Sequence, residues 1–308
     1  MPSITEPSIS EIQDILEELE QAIQDHNQWL MEWHRAIICR VPLEEHHMAN
    51  DAHRCCNFGR WYYGHNHSYL ATFPAFAQLE LVHLTIHAVA KNLLLKSIGN
   101  EPLSLVEYDG FLTWRGEFRD VIRTLETKLQ QTIFYTDPLT RVANRQQMLP
   151  ALRQCQVRLS SHQEDSVICM LDLDHFKQVN DHYGHQAGDQ VLIAVADFLS
   201  GHLRPRDMIF RYGGEEFLLV LVDVNLAVSA KVVERLRTLL AQETIMVDSQ
   251  TSLRVTASFG LAAVEVVPEV EEIIARADQA LYAAKEGGRN QVHYMTSLGI
   301  ERVSPLDN

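Results

Sequence analysis

The sequence predicts two domains of different class, an N-terminal all-α four-helix bundle followed by a C-terminal α/β domain. Apolar residues recur at helical spacing through the first 110 positions, whereas beyond Asp137 short apolar strand runs alternate with helical segments. A length of 308 residues suffices for two cores of ordinary size. With 46% hydrophobic and 22% charged residues, the composition is that of a folded chain rather than a disordered one.

Ile12, Ile15, Leu16, Leu19, Ile23 and Leu30 predict a first helix, capped near Ser8 or Ser10 and running to about Cys39, with Pro42 helping to end it. A second helix is expected from near Leu43, where the sequence is polar and helix-compatible. The segment 73–98 is strongly periodic and stops at Gly99. A fourth helix from Leu112 to about Tyr135 carries Phe118, Val121, Ile122, Leu125 and Leu129, and doubles as the connector. Residues 1–110 thus form the bundle and 111–136 the connecting helix. Val167–Leu173 is a buried-strand run ending in acidic residues, and Gln186–Leu199 reads as a helix. Residues 209–211 and 217–222 are strands around the turn Tyr212-Gly213-Gly214-Glu215, hence a β-hairpin. Val228–Leu240 is a helix, Leu253–Val264 a strand, and Glu271–Glu286 a helix ended by Gly287-Gly288. The α/β domain covers 137–297, and 298–308 is a frayed tail.

A net charge of −15 excludes a general nucleic-acid binder, because phosphate backbones are held by clustered Lys and Arg. An acidic chain can still bind a nucleotide if divalent metal neutralises the phosphates. The start MPSITEPSIS lacks the basic and apolar regions of a secretory signal. No stretch reaches the roughly 18 uninterrupted apolar residues of a membrane helix. Five scattered cysteines form no disulfide framework. A cytoplasmic protein with no membrane partner is expected. Nine of the fifteen histidines precede Ala88, which points to metal.

The sharpest feature is Arg211-Tyr212-Gly213-Gly214-Glu215-Glu216-Phe217. Two glycines permit a tight turn and let backbone approach a flat ligand. Adjacent carboxylates at a hairpin tip repel, a cost that a divalent cation with oxygen ligands removes. Asp172 and Asp174 at the end of the preceding strand supply a second acidic source. Each pair alone reads equally well as solvated loop charge; together they suggest a two-metal phosphoryl-transfer site.

This turn resembles the signature of the GGDEF family, the diguanylate cyclases, in its GGEEF form. Further blocks follow in order: DPLTRVANR (137–145), LDLDHFKQVNDHYGHQAGD (171–189), RPRD (204–207), ASFG (257–260) and ADQALYAAKEGGRN (277–290). Arg141 departs from the glycine usual at that position, and His175 from the usual aromatic. The resemblance implies a cyclase-like, palm-like fold with a central antiparallel-mixed sheet, and an enzyme that converts two GTP into cyclic di-GMP. It assigns Mg²⁺ (or Mn²⁺) to Asp172, the Leu173 carbonyl, Glu215 and Glu216, with Glu215 as base for the 3′-hydroxyl. Asn180 and Asp189 would read the guanine edge. His185, Phe176 and Gly214 would line the nucleotide pocket, Lys177 would lie near the triphosphate, and Lys285 and Arg289 would bind phosphates. Each half-site holds one GTP, so a two-fold homodimer is implied. Arg204 and Asp207 stand at the family's product-inhibition offset, where an Arg fork and an Asp can grip cyclic di-GMP. No GxxxxGK[ST] loop is present.

His83 and His87 leave one face of the third helix. Two imidazoles do not make a closed site, and on this spacing metal and core packing are equally supported. With His26-Asn27-Gln28-Trp29 and Cys56-Asn57-Phe58-Gly59-Arg60-Trp61, however, the pattern resembles the chemoreceptor zinc-binding (CZB) domain. That resemblance assigns Zn²⁺ to His26, Cys56, His83 and His87, a set that suits tetrahedral zinc. It implies that zinc regulates the cyclase, restraining it. Cys55 receives no role. His46, His47, His53, His65, His67 and His182 are expected to be exposed, and Trp29, Phe58 and Trp61 to be core. Two other readings remain: a binding module that senses GTP or cyclic di-GMP, which would not need the metal carboxylates, and a structural helical dimeriser.

Overall fold

In a computed structural model, which describes residues 7–42, 48–49, 51–64, 67–162 and 164–304, the chain forms two compact units, 1–134 and 135–308. The first contains α1 (Ile9–Cys39), α2 (Ala52–Cys55), α3 (Asn57–Gly64), a 3-10 turn at Leu70–Thr72, α4 (Pro74–Ile98) and α5 (Leu105–Tyr135). Three long helices and a broken fourth member therefore make the bundle. Helix α1 starts at a capping box in which Ser8 Oγ accepts from Glu11 N and Glu11 accepts from Ser8 N. The expected start of the second helix at Leu43 and the expected exposure of His46, His47 and His65 lie outside the described residues. Cys56 is extended, with ψ 158°, and separates α2 from α3.

Helix α5 begins seven residues before the expected Leu112, so it crosses the expected boundary at 110. Ser104 Oγ accepts from Glu107 N while Glu107 accepts from Ser104 N, and Glu107 also pairs with Lys96. These caps outweigh the low helix propensity of Gly110 within the first turns. The bundle core closes around Leu19, Phe58, Leu79, Ile86, Phe111 and Leu125.

The second unit contains β1 (Ala143–Asn144), α6 (Arg145–His162), β2 (Ser166–Leu173), α7 (Phe176–Tyr183), α8 (His185–His202), β3 (Met208–Gly213) and β4 (Glu216–Val222). Then follow α9 (Leu226–Gln242), β5 (Ile245–Met246), β6 (Ser252–Leu253), β7 (Ala257–Ala263), α10 (Val270–Glu286), β8 (Val292–Thr296) and β9 (Gly299–Arg302). Seven strands form one mixed sheet in the order β1-β3-β4-β2-β7-β8-β9, as expected for an antiparallel-mixed cyclase-like sheet. Strand β2 is buried along its whole length, so its apolar run does not alternate with polar residues. Val167, Cys169 and Leu171 pack on one face with α8 and α9 residues, and Ile168 and Met170 on the other with α6 and α10 residues.

Two expectations are corrected here. The expected strand 253–264 is two elements, because Thr256 turns to Asp174: Asp174 N donates to Thr256 O at 2.8 Å, and Thr256 Oγ1 donates to Asp174 Oδ2 at 2.7 Å. The tail is not frayed through 301–302, since Tyr294 pairs with Glu301 and His293 with Arg302, extending the sheet past 297. Helices α6 and α7 went unread; Pro150 interrupts the pattern of α6, although Met148, Leu152 and Cys155 anchor it in the core.

Candidate functional site

Register builds the acidic site of the second unit. Strands β2 and β4 are antiparallel, and Asp172 pairs with Glu216. Period-two alternation then puts Asp172 on the face of Ile168 and Met170, and Glu216 on the face of Leu218 and Val220, which is the side covered by α10. From α10, Lys285 Nζ reaches Asp172 Oδ2 at 2.8 Å. The β3–β4 turn is tight: Gly213 pairs with Glu216, leaving Gly214 and Glu215 as the two loop residues, and Gly214 adopts φ +49°. Arg211 holds this turn, donating to Gly214 O at 2.9 and 3.1 Å and to Asp137 Oδ1 at 2.9 Å.

Electrostatics match a cation site. Burial pushes the Asp172 carboxyl above its usual range, and Lys285 pulls it back. Burial and then the Asp172 charge push Glu216 up as well. Two paired carboxylates that resist joint ionisation become comfortable beside a divalent ion, so the residues present fit a divalent cation with oxygen ligands.

Asp174, grouped with Asp172 in the sequence, does a different job. Its carboxylate accepts from Thr256 Oγ1 and Ser258 Oγ at 2.7 Å and from Asn290 N at 2.9 Å. Asn290 Oδ1 accepts from Arg237 Nη1 at 2.7 Å, and Arg237 forks onto the buried Glu234 at 2.7 and 2.8 Å. This chain of contacts fixes the loop after α10, where Arg289 and Asn290 both have positive φ. Sequence reasoning missed Glu234, Arg237, Thr256, Ser258 and Asn290. The signal available was the placement of Ser258 and Asn290 inside the ASFG and GGRN blocks.

Asn180 on α7 packs against Gly188 on α8, the residue that precedes Asp189. A Cβ at Gly188 would lie 2.0 Å from Asn180 Oδ1, so the carboxamide rests directly on that backbone. Asp189, Lys177, His185, His182 and Arg289 are exposed. Phe176, expected to line the pocket, is 6% exposed and packs into the core from the inward face of α7, and its ring tip also lies at Gly188, where a Cβ would be 3.2 Å from Cζ. In the RPRD turn, Asp207 accepts from Arg204 N at 2.9 Å and from Val222 N at 3.1 Å, while Arg206 pairs with Glu164 and Asp223.

In the first unit, α1 and α4 bring His26, His83 and His87 together, all buried, with candidate ligand atoms within 4.8 Å of one another. Cys56 adjoins this group through His83, Sγ to Nε2 at 3.4 Å, and also accepts from Gly59 N at 3.2 Å. Ligands of one tetrahedral zinc ion stand roughly 3.3–3.6 Å apart. The Cys56–His83 spacing matches that value, and the histidine group is slightly wider. His26 Nε2 has no hydrogen-bond partner among the described residues. Burial, reinforced by Arg115, holds His26 down to about 3, and burial holds His83 well below its usual value, so both are neutral and able to ligate. Burial pushes the Cys56 thiol up to about 11, so zinc would have to displace its proton. The donor set fits zinc. Trp29 stacks on His87 at 4.0 Å, and Phe58 and Phe118 close the cage. Trp29, Phe58 and Trp61 are core as expected, whereas His53 and His67 are half-buried, His67 bonding to Trp61 O at 2.9 Å.

Residues 134–291 match the family described as diguanylate cyclase, GGDEF domain. The chain belongs to the GGDEF diguanylate cyclase family. Residues 26–94 match the chemoreceptor zinc-binding domain and contain all four candidate zinc ligands. The chain is 27% identical to diguanylate cyclase DgcZ of Escherichia coli, over 94% of this chain and 97% of that protein. It is 39% identical to diguanylate cyclase DgcP of Pseudomonas aeruginosa over 54% of this chain, spanning 25% of that protein's length. Among solved structures, the coiled coil and GGDEF domain of DgcB from Caulobacter crescentus, in complex with c-di-GMP, is similar at 30% identity and TM-score 0.54, covering 59% of this chain and 97% of that one. Diguanylate cyclase SiaD of Pseudomonas aeruginosa, in complex with its activator SiaC, matches at 32% identity and TM-score 0.51, covering 76% and 93%. Among the described residues, no helix is long and apolar enough to cross a membrane.

Proposed function

We propose that the chain condenses two GTP molecules into cyclic di-GMP with release of two pyrophosphates, as a cytoplasmic homodimer. The observation that carries this reading is the facing of Asp172 and Glu216 across β2 and β4, beside the Gly-Gly-Glu-Glu turn and under Lys285. Asp172, the Leu173 carbonyl, Glu215 and Glu216 would hold divalent metal, Mg²⁺ or Mn²⁺. When bound, that ion supplies positive charge to the phosphates and lowers the pKa of the attacking hydroxyl. Glu215, at the turn tip, takes the proton of the 3′-hydroxyl. The freed 3′-oxygen forms a bond to the α-phosphorus of the second GTP as the bond to pyrophosphate breaks, and a second such step closes the ring. Lys285, which neutralises Asp172 here, turns to a phosphate, and Arg289 joins it. Asn180 and Asp189 select guanine, because adenine would leave their donors and acceptors unmatched.

Two controls belong to the same reading. Zinc on His26, Cys56, His83 and His87 restrains the cyclase, with α5 as the covalent route to the second unit. Cyclic di-GMP at Arg204 and Asp207 inhibits. The Asp207 bonds to Arg204 N and Val222 N support this by fixing the turn from which the Arg204 guanidinium projects. Incubation with GTP and Mg²⁺, followed by chromatography, should yield cyclic di-GMP. Intact GTP after prolonged incubation would reject catalysis and leave a nucleotide-sensing module.

A further inference from the structure

Between α1 and α5 lies a groove of about 540 Å³ that the nucleotide chemistry does not use. One wall is a ladder of Arg115, Arg119 and Arg123, at i, i+4 and i+8 on α5. Asn27 and His26 of α1 face it. Arg115 and Arg123 make no ion pair among the described residues, and Arg119 touches only Asp120, a weak contact at 3.4 Å between exposed groups. Glu126 is the one carboxylate among the described lining residues.

This arrangement is unusual for this molecule. The chain carries a net charge of −15, yet here three cations line one cavity with a single acid at its end. Like charges at i and i+4 oppose helix formation, so a ladder answered only in part, by Asp120 at Arg119 and by Glu126 near Arg123, is a local cost that a bound anion offsets. Guanidinium forks match the planar geometry of carboxylate and the tetrahedral oxygens of phosphate. The ladder spans about 12 Å along the helix axis, long enough for more than one anionic group. At the groove's inner side lies His26, itself only 1% exposed, so the groove is closed off there by the bundle core.

We infer that this groove is a binding site for a small oxyanion of two or more negative charges, a phosphate or a dicarboxylate, held by Arg115, Arg119 and Arg123. The site is independent of the proposed cyclase chemistry. All four tryptophans, Trp29, Trp33, Trp61 and Trp114, lie in the first unit, and Trp114 adjoins Arg115, so tryptophan emission, excited selectively at the red edge, reports on this unit alone.

The full-length chain, its zinc content measured before and after, is titrated with inorganic phosphate and, separately, with succinate, against chloride at matched ionic strength of about 0.1 M. A saturable fluorescence change with one or both probes is expected. Arg115→Gln/Arg123→Gln should raise the half-saturation concentration at least about tenfold, because charge-assisted bonds are lost. Lys128→Gln, on the same helix outside the groove, should leave it unchanged. The exposed positions of both arginines make the double variant compatible with folding, and the wild-type titration decides whether a site exists in any case. No saturable change with either probe overturns the inference, as does equal binding by the double variant. A signal that follows self-association in sedimentation, rather than probe concentration, would instead make the ladder a contact for a second copy and also overturn it.

Discussion

The ion pair between Glu234 and Arg237 gives the sharpest structural test, because it joins stability to the loop after α10, to which phosphate binding is proposed. Glu234 has a side-chain exposure of 3% and Arg237 of 15%, and two charge-assisted bonds of 2.7 and 2.8 Å join them. Replacing Arg237 by Met keeps the volume of the stem but leaves a carboxylate buried without a partner. Breaking one side of such a buried pair costs about 3–5 kcal/mol. For a domain of this size each kcal/mol lowers Tm by about 2–4 °C, so calorimetry should record a fall of roughly 6–20 °C in the second unit. Glu234→Leu/Arg237→Met removes both charges and should recover much of that loss, since an apolar pair of similar size has nothing left to desolvate. Function should respond separately. Asn290 loses its Arg237 bond, the loop carrying Arg289 loosens, and KM for GTP rises several-fold at a temperature where the variant is still folded. A Tm fall below about 3 °C, or a double variant no more stable than the single one, would refute the claim that this pair is a desolvated structural lock.

Gly188→Ala should raise KM for GTP at least about tenfold and erode the preference over ATP, because the new methyl would sit 2.0 Å from Asn180 Oδ1 and expel it; steady-state kinetics with both nucleotides checks this. Cys56→Ala, or treatment with a chelator, should lower zinc content by atomic absorption and raise the rate of cyclic di-GMP formation; an unchanged rate in metal-free protein would leave zinc a structural role alone. Arg204→Ala should relieve inhibition by added cyclic di-GMP while initial rates in its absence stay the same, and an unaltered inhibition curve would reject the assigned turn.

Legibility differed between parts of the chain for physical reasons. The Gly-Gly-Glu-Glu turn was readable because hairpin chemistry is local: glycines and flanking apolar strands fix the β3–β4 register between Met208 and Val220. The histidine pair on α4 was readable from helical spacing, yet Cys56 needed the family pattern, since its place beside His83 depends on a chain break between two short helices. The start of α5 was missed because side-chain caps at Ser104 and Glu107 outweigh propensity around Gly110. Asp172 and Asp174 looked alike in sequence. Alternation sends Asp172 toward Lys285, whereas Asp174 lies beyond the strand end and is claimed by Thr256, Ser258 and Asn290, partners more than 80 positions away. Such long-range satisfaction of a buried carboxylate leaves no local trace.

Divalent metal at the facing carboxylates is the claim on which the catalytic reading rests, and manganese titration followed by electron paramagnetic resonance, with a non-hydrolysable GTP analogue present, measures it directly. The wild-type chain should bind manganese that Asp172→Asn and Glu216→Gln each release into solution. Equal manganese binding by wild type and both variants would contradict the account.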